Sequence, residues 1–191
     1  MWVETDGEPV LGLHLGMAGR IAVDEPPIDR PWDRFVLEFE DGGRLALRDR
    51  RRLGRAFLDP ELSRVGPDAA AVDRRAFHER VGRGTAPVKA RIMDQSVIAG
   101  VGNLLADEAL WRARLHPRRP AGNLSEEELD RLRRDVRAAI RGAVRKGGAH
   151  TGPFTQARGA GGRCPRCGAS LERGVVGGRT TYWCPREQVS A

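Results

Sequence analysis

Lysine, tyrosine and cysteine are scarce in this chain of 191 residues, and it contains no long apolar run. Only two of its 33 basic residues are lysines, Lys89 and Lys146. Because a helix needs roughly 20 apolar residues to span a bilayer, the sequence predicts no membrane partner. No secretory leader pattern opens the chain, so we expect a cytoplasmic protein.

The rest of the composition is typical of a basic globular protein. Apolar residues make up 40% of the chain and charged residues 31%, which argues against wholesale disorder. The net charge of +7 is typical of proteins that bind polyanions. Since a GC-rich genome also enriches arginine, the charge alone favours nucleic-acid binding only weakly.

The three cysteines, Cys164, Cys167 and Cys184, all lie near the C-terminus. An odd, clustered set in a reducing compartment indicates metal ligands rather than disulfides. A structural zinc site has four ligands, usually from two Cys-x-x-Cys knuckles, and Glu187 stands where the fourth cysteine is expected. Three outcomes stay open: Glu187 completes the site, water or another residue completes it, or the metal is lost and packing holds the hairpin.

Residues 1–60 carry the pattern of an antiparallel sheet. Leucines alternate with other residues over 11–16, and period-two segments at 35–40 and 44–48 flank a glycine-rich turn. Residues 55–58 add another predicted strand before Asp59-Pro60.

Residues 85–120 predict two helices joined by a tight glycine turn. Thr85 is the predicted N-cap of the first helix, whose apolar face continues to Val97. Gly100 and Gly102 then provide the turn, and Asn103 opens the second helix. Bare backbone N–H groups at the start of that helix form a site for a phosphate oxygen. A capping box at Ser125 starts a further helix that ends at the Gly147-Gly148 pair.

Three segments resemble a known family. Residues 93–110, MDQSVIAGVGNLLADEAL, resemble the helix–two-turn–helix signature of the formamidopyrimidine/endonuclease VIII (Fpg/Nei) DNA glycosylases. HLGMAGR at 14–20 and DRRRLG at 49–54 are similar to two further motifs of the same family. The resemblance implies a base-excision-repair glycosylase with abasic-site lyase activity, bound to double-stranded damaged DNA in the bacterial nucleoid.

The implied fold is α+β and has three parts. Residues 1–60 form the remainder of an N-terminal antiparallel β-sandwich, and residues 61–150 form a helical domain with the helix–two-turn–helix motif at 85–120. Residues 151–191 form a zinc-ribbon-like β-hairpin with one structural zinc ion. The family hairpin ends in Cys-Pro-x-Cys-Gln, and Gln188 follows Glu187 in register.

The resemblance also assigns the DNA-binding residues. Met17, Arg51 and Leu53 are expected to fill the gap left by the flipped nucleotide. Asn103, Arg179 and Lys89 are expected on the DNA backbone. Two departures concern the second motif: Arg50 replaces the usual proline, and Leu53 replaces the phenylalanine of many members.

The family's catalytic residues are not found at the start of this chain. In the family a proline follows the initiator methionine and attacks the sugar, and a glutamate comes next. This chain begins Met1-Trp2-Val3-Glu4, so a sizeable N-terminal piece is expected to be absent and no catalytic residue is assigned. The only amines left for a Schiff base are the Met1 α-amine and two lysines.

Two other functions remain open beside the enzyme. One is a non-catalytic protein that binds damaged or abasic DNA, and the weaker one is an RNA-associated zinc-ribbon protein. In family members that recognise oxidised guanine a longer loop closes over the extruded base, so the resemblance implies that the short loop at 150–162 provides no such lid and no preference for 8-oxoguanine. A partial sandwich is expected to self-associate, whereas the chain with the absent segment restored is expected to be a monomer.

Overall fold

The computed structural model describes residues 2–4, 9–16, 19–24 and 32–189. The chain divides into two compact units, Met1–Leu62 and Ser63–Ala191. The helical segment and the cysteine-bearing hairpin, separated at residue 150 in the sequence-based division, thus lie in one unit. None of the helices in the described part of the chain is long and apolar enough to cross a membrane.

The first unit consists of short antiparallel strands. They are β1 (Trp2–Val3), β2 (Leu11–His14), β3 (Arg20–Val23), β4 (Asp33–Glu38), β5 (Arg44–Arg48) and β6 (Arg55–Leu58). They form two three-stranded sheets with the orders β1–β2–β6 and β3–β5–β4. The buried apolar side chains are Leu11, Leu13, Ala22, Ala46 and Leu47.

The β4–β5 hairpin forms where the alternation pattern predicts it. Gly42 adopts a φ of 85°, which glycine tolerates at no steric cost. The Asp41 carboxylate accepts a hydrogen bond from the Gly43 amide at 2.9 Å, as in many Asx turns. The turn is therefore fixed by the Asp41-Gly42-Gly43 sequence itself.

In its described residues the second unit contains five α-helices and a two-stranded sheet. They are α1 (Arg74–Val81), α2 (Val88–Met93), α3 (Asn103–Ala113), α4 (Glu126–Lys146), α5 (Pro153–Ala157), β7 (Glu172–Val176) and β8 (Arg179–Trp183). Fully buried side chains from α1 to α4, among them Phe77, Ile92, Leu110 and Leu132, form one core. A second cluster contains Trp111, Phe154, Cys164 and Cys184.

The first helix of the predicted pair is shorter than the apolar pattern indicates. It begins at Val88 after Pro87, without a side-chain cap, so Thr85 is not its N-cap. It ends at Met93 because the Asp94 carboxylate accepts hydrogen bonds from the Ser96 amide and hydroxyl. Val97 is buried in the turn that follows, not on the helix.

Two elements around α4 contrast in how well the sequence predicts them. The capping box at Ser125 is present, and Gly147 ends α4 in the left-handed region. The short helix α5, in contrast, lies in the stretch predicted as a glycine-rich loop. The Glu108 carboxylate caps α5 by accepting the Phe154 and Thr155 amides at 3.0 and 3.1 Å.

Candidate nucleic-acid interface and metal centre

The N-terminus of α3 is open to an anion. Gly102 occupies the N-cap position in an extended conformation, and no side chain caps the helix. A Cβ built on Gly100 or Gly102 meets no described atom within 4 Å, so the backbone can be approached closely. Unpaired amides and the positive end of the helix dipole attract a phosphate oxygen at such a point.

The tip of the β7–β8 hairpin presents Arg179. Gly177 and Gly178 form the turn with φ values of 58° and 72°, and Arg179 is exposed directly after them. A Cβ on Gly177 would lie 2.9 Å from the Cβ of Ala90, so the tip packs closely against α2. Glycine at 177 is therefore required both by backbone conformation and by this contact.

A hydrogen bond brings the two predicted phosphate ligands together. The Asn103 Nδ2 donates to the carbonyl oxygen of Thr180 at 3.0 Å, and Thr180 is the neighbour of Arg179. The Arg158 Nη2 donates to the same carbonyl at 3.2 Å. The buried Asn103 Oδ1 has no hydrogen-bond partner among the described residues. The start of α3 and the hairpin tip thus form one surface.

Lys89, predicted to contact the DNA backbone, does not lie on this surface. Its side chain is fully buried, and its Nζ lies 2.7 Å from the Asp107 Oδ1. The same Nζ donates to the Thr181 Oγ1 at 2.6 Å. Because Asp107 and Thr181 bind the ammonium group, Lys89 is not available to a DNA backbone. The prediction for Lys89 is corrected: its side chain supports the hairpin from within the second unit.

Asp107 lies at the centre of a buried ion cluster. Its Oδ2 lies 2.9 Å from the Arg158 Nε and accepts the Tyr182 amide at 3.2 Å. Burial raises the pKa of Asp107 and lowers the pKa of Lys89, while their mutual attraction opposes both shifts. The cluster fastens β8 to α2 and α3. One sequence signal pointed to it: Asp107 follows Asn103 by four residues and shares its helix face.

In the first unit, a single carboxylate shapes the loop at 49–54. The buried Asp49 accepts the amides of Arg51, Leu53 and Gly54 at 2.9, 2.6 and 2.6 Å. The hydrogen bonds from the backbone, with that of Gly54 the largest influence, lower the pKa of Asp49. The loop exposes Arg51, and Leu53 is 40% exposed.

Both predicted gap-filling side chains of this loop, Arg51 and Leu53, are therefore exposed. The third one, Met17, lies outside the described residues. Asp49 was not singled out from the sequence, although its place at the start of the DRRRLG motif offered a signal.

The three cysteines converge on one point. Their Sγ atoms all lie within 4.8 Å of one another, and the Sγ atoms of Cys167 and Cys184 are 3.4 Å apart. The Trp111 Nε1 donates to the Cys164 Sγ at 3.3 Å. Two buried thiols and one half-buried thiol at this spacing, with an N–H donor to sulfur, fit the donor set of a zinc ion.

Glu187, predicted as the fourth ligand, points to arginines instead. Its Oε2 lies 2.9 Å from the Arg166 Nη1 and 3.4 Å from the Arg114 Nε. The hydrogen bond from Arg166 is the main reason that the pKa of Glu187 is lowered. Among the described residues the metal cluster consists of the cysteines alone, so the assignment of Glu187 as a ligand is corrected.

Gln188, in contrast, supports the second knuckle. Its Oε1 accepts the Cys184 amide at 3.0 Å, and its Nε2 donates to the carbonyl of Leu115 at 2.9 Å. The side chain is buried. It therefore fixes Cys184 to the segment that follows α3.

Three family models match successive parts of the chain. The formamidopyrimidine-DNA glycosylase N-terminal domain matches residues 1–56, and the H2TH domain of the same proteins matches residues 65–154. The zinc finger found in FPG and IleRS matches residues 161–186. These ranges contain the Asp49 loop, the α2–α3 pair and the cysteine cluster, respectively.

Individual proteins of the same family are similar to this chain in sequence and in structure. The formamidopyrimidine-DNA glycosylase of Roseiflexus sp. is 41% identical, over 96% of this chain and 76% of that protein. The Lactococcus lactis enzyme, solved non-covalently bound to DNA containing an AP site, has a TM-score of 0.85 at 28% identity and covers 99% of this chain and 77% of its own. The MutM (FPG) protein of Thermus thermophilus has a TM-score of 0.80 at 35% identity, with 97% and 78% covered.

Proposed function

Because the chain belongs to the formamidopyrimidine-DNA glycosylase family, whose function is base-excision repair, we propose that it binds double-stranded DNA at damaged or abasic sites. The observation that carries the proposal is the hydrogen bond between Asn103 and the Thr180 carbonyl. It places an open helix N-terminus beside an exposed arginine. Arginine and helix amides are both strong phosphate ligands, and their combination positions a DNA backbone.

Arg51 and Leu53 are proposed to enter the gap left by an extruded nucleotide, together with Met17. The Asp49 loop supports this role because its carboxylate fixes the backbone and leaves both side chains exposed. Leucine inserts as an apolar wedge, and arginine hydrogen-bonds the unpaired base. Nucleoid association follows from this binding and is proposed with it.

We propose further that a polypeptide of these 191 residues binds abasic DNA without forming a Schiff base. Residue 2 is Trp2, so no proline amine stands at that position. Lys89 is buried and paired with Asp107, which removes it as a nucleophile. Lys146 lies in the last turn of α4 and lines a cavity with Leu105, Glu108 and Arg112, a lining that includes neither Asn103 nor Arg179. We therefore expect this polypeptide to bind abasic DNA without cleaving the strand.

Borohydride trapping with an abasic duplex tests for the Schiff base, and equilibrium binding in the same buffer tests for the DNA complex. We expect binding without a covalent adduct. An adduct would mean that Met1 or a lysine acts as the nucleophile and that the chain is an enzyme as it stands. A preference for single-stranded RNA over the abasic duplex would instead favour the RNA-associated alternative.

The binding surface itself is tested with R179A, against R145A as a matched control. Arg145 is an exposed arginine in the last turn of α4. R179A should weaken binding about 10-fold and reduce the slope of log K against log salt by about 1, as loss of one phosphate contact does. R145A should leave both quantities unchanged, and equal effects of the two variants would contradict the assignment.

Lesion choice is the remaining part of the proposal. The stretch 150–162 contains the short helix α5, whose Phe154 is buried against Trp111 with ring centroids 5.5 Å apart. A segment packed in this way is proposed to provide no lid over an extruded 8-oxoguanine. Binding to duplexes with 8-oxoguanine and with an abasic analogue should then be similar, or favour the abasic one; a clear 8-oxoguanine preference would contradict it.

A further inference from the structure

The metal centre of this chain differs from a closed four-thiolate site at one position. Two cysteines come from the first knuckle, but the second knuckle supplies only Cys184 and carries Glu187 in place of a second thiol. Among the described residues, no histidine or carboxylate joins the three sulfur atoms. A zinc ion held here would find three protein ligands, whereas structural zinc sites have four.

The three thiols are nevertheless arranged as metal ligands. The three Sγ atoms lie within 4.8 Å of one another, and the Trp111 indole donates to the Cys164 sulfur at 3.3 Å. The buried Gln188 holds the backbone of Cys184 by accepting its amide at 3.0 Å. Such outer hydrogen bonds are a regular feature of metal sites and stabilise thiolates.

Glu187 is paired with two arginines, and one of them, Arg166, is itself fixed. The Arg166 guanidinium lies over the Trp111 ring, 4.3 Å from its centroid, and donates to the Trp111 carbonyl at 3.3 Å. From this position it binds the Glu187 carboxylate, and Arg114 approaches the same oxygen. The ion pair therefore links the two knuckles at the place where a fourth metal–sulfur bond would otherwise join them.

We propose that this chain binds one zinc ion through Cys164, Cys167 and Cys184 and leaves the fourth coordination position to an exchangeable ligand from solution. The ligand class is a small monodentate donor: water by default, or a thiol or imidazole when one is supplied. The Arg166–Glu187 pair takes over the cross-link between the knuckles. An open position of this kind is the feature that separates catalytic from structural zinc sites.

The test uses Co²⁺ in place of zinc, because its absorption spectrum reports both the thiolates and the geometry. Sulfur-to-cobalt charge-transfer intensity should be that of three thiolates in the wild-type chain and one third higher in E187C. Addition of imidazole or 2-mercaptoethanol should shift the visible cobalt bands of the wild type and of E187Q. The same additions should leave E187C unchanged, since its fourth position is filled.

Two further variants keep the proposal falsifiable if E187C does not fold. E187Q should have the spectrum of the wild type before any addition, because Glu187 is not a ligand. R166M should free Glu187 to reach the metal, which would shift the starting spectrum and suppress the response to imidazole. Near-ultraviolet circular dichroism of the tryptophans checks that each variant is folded.

The outcomes that overturn the proposal are distinct from a failure to bind DNA. A changed spectrum in E187Q, with no imidazole response in the wild type, would make Glu187 the fourth ligand. A folded wild-type chain that binds no Co²⁺, while E187C does, would mean that three thiols are insufficient and that packing alone holds the hairpin.

Discussion

Two segments of this protein expose an arginine, and they are fixed in different ways. The loop at 49–54 is held by one carboxylate that accepts three amides from residues two to five positions away. The strand β8, which carries Arg179, is held by Lys89, Asp107 and Arg158, which contact residues 180–182 from 22 to 92 positions away in sequence. The hydrogen bonds of Asp49 are local and need only the loop's own residues. The contacts that hold the hairpin form only when the helices and the hairpin have packed.

Removal of Asp107 should give the largest effect, because it leaves Lys89 and Arg158 as buried charges without their partner. D107A is expected to lower the free energy of unfolding of the second unit by about 3–5 kcal/mol, as for other broken buried pairs. Urea denaturation followed by tryptophan fluorescence measures it. The matched variant is D135N on α4, outside this cluster, and a D107A cost below that of D135N would contradict the account.

The packing of the tip against α2 is tested with a pair of glycine variants. Gly177 and Gly178 both have positive φ, but only a Cβ on Gly177 would clash with Ala90. G177A is therefore expected to destabilise the hairpin by about 1–3 kcal/mol, as overpacking does, in addition to the backbone strain that G178A shares. Thermal unfolding measures the difference. A90G in the G177A background should recover the stability lost through the clash with Ala90. Equal losses of stability in G177A and G178A would exclude the contact.

The Asp49 loop should respond to pH in a predictable direction. Since the Gly54 amide and its neighbours lower the pKa of Asp49, the folded loop gains stability above the ordinary aspartate pKa of about 3.9. That stability is lost as the pH falls through the lower pKa of the folded state. Amide exchange of Leu53 between pH 5 and pH 2 reports it. D41N, in the β4–β5 turn, should leave the Leu53 profile unchanged, and an identical profile in D49N would contradict this assignment.

The smallest effect is expected at the exposed ion pair of α1. Arg75 and Glu79 are four residues apart, with an Nε–Oε1 distance of 2.8 Å and side chains 89% and 49% exposed. Solvent and salt screen such pairs, so E79Q should leave the unfolding midpoint almost unchanged. A loss comparable to that of D107A would mean that burial is not what separates the two kinds of ion pair.

The comparison also explains what could be predicted from the sequence. The α+β fold, the antiparallel sheets, the helix–two-turn–helix pair and the cysteine cluster all follow from motifs and are confirmed, as is the family. Local devices such as the Ser125 capping box can be read directly, because all their parts lie within four residues. The assignments of Asn103 and Arg179 remain predictions about DNA.

The long-range contacts could not be predicted, and they account for the corrections to Lys89 and Glu187 and for the unexpected helix α5. Lys89 is a lysine in a basic chain, and nothing in its neighbourhood indicates that Asp107 and Thr181 bury its ammonium. Glu187 stands at the position where the family motif has a metal-binding cysteine, yet its carboxylate is paired with Arg166 and Arg114. The helix α5 could not be predicted for the same reason, since the carboxylate that caps it, Glu108, lies 46 and 47 positions from the amides that it accepts.

Asn103 and Arg179 are proposed to act as one phosphate-binding surface, and a double-mutant cycle distinguishes one surface from two independent contacts. Equilibrium binding to an abasic-analogue duplex is measured for the wild type, N103A, R179A and the double variant. Because Asn103 positions the strand that carries Arg179, the two losses should be coupled by about 0.5–3 kcal/mol, with the double variant weaker than wild type by less than their sum. Losses that add within about 0.5 kcal/mol would show two independent contacts and contradict the account.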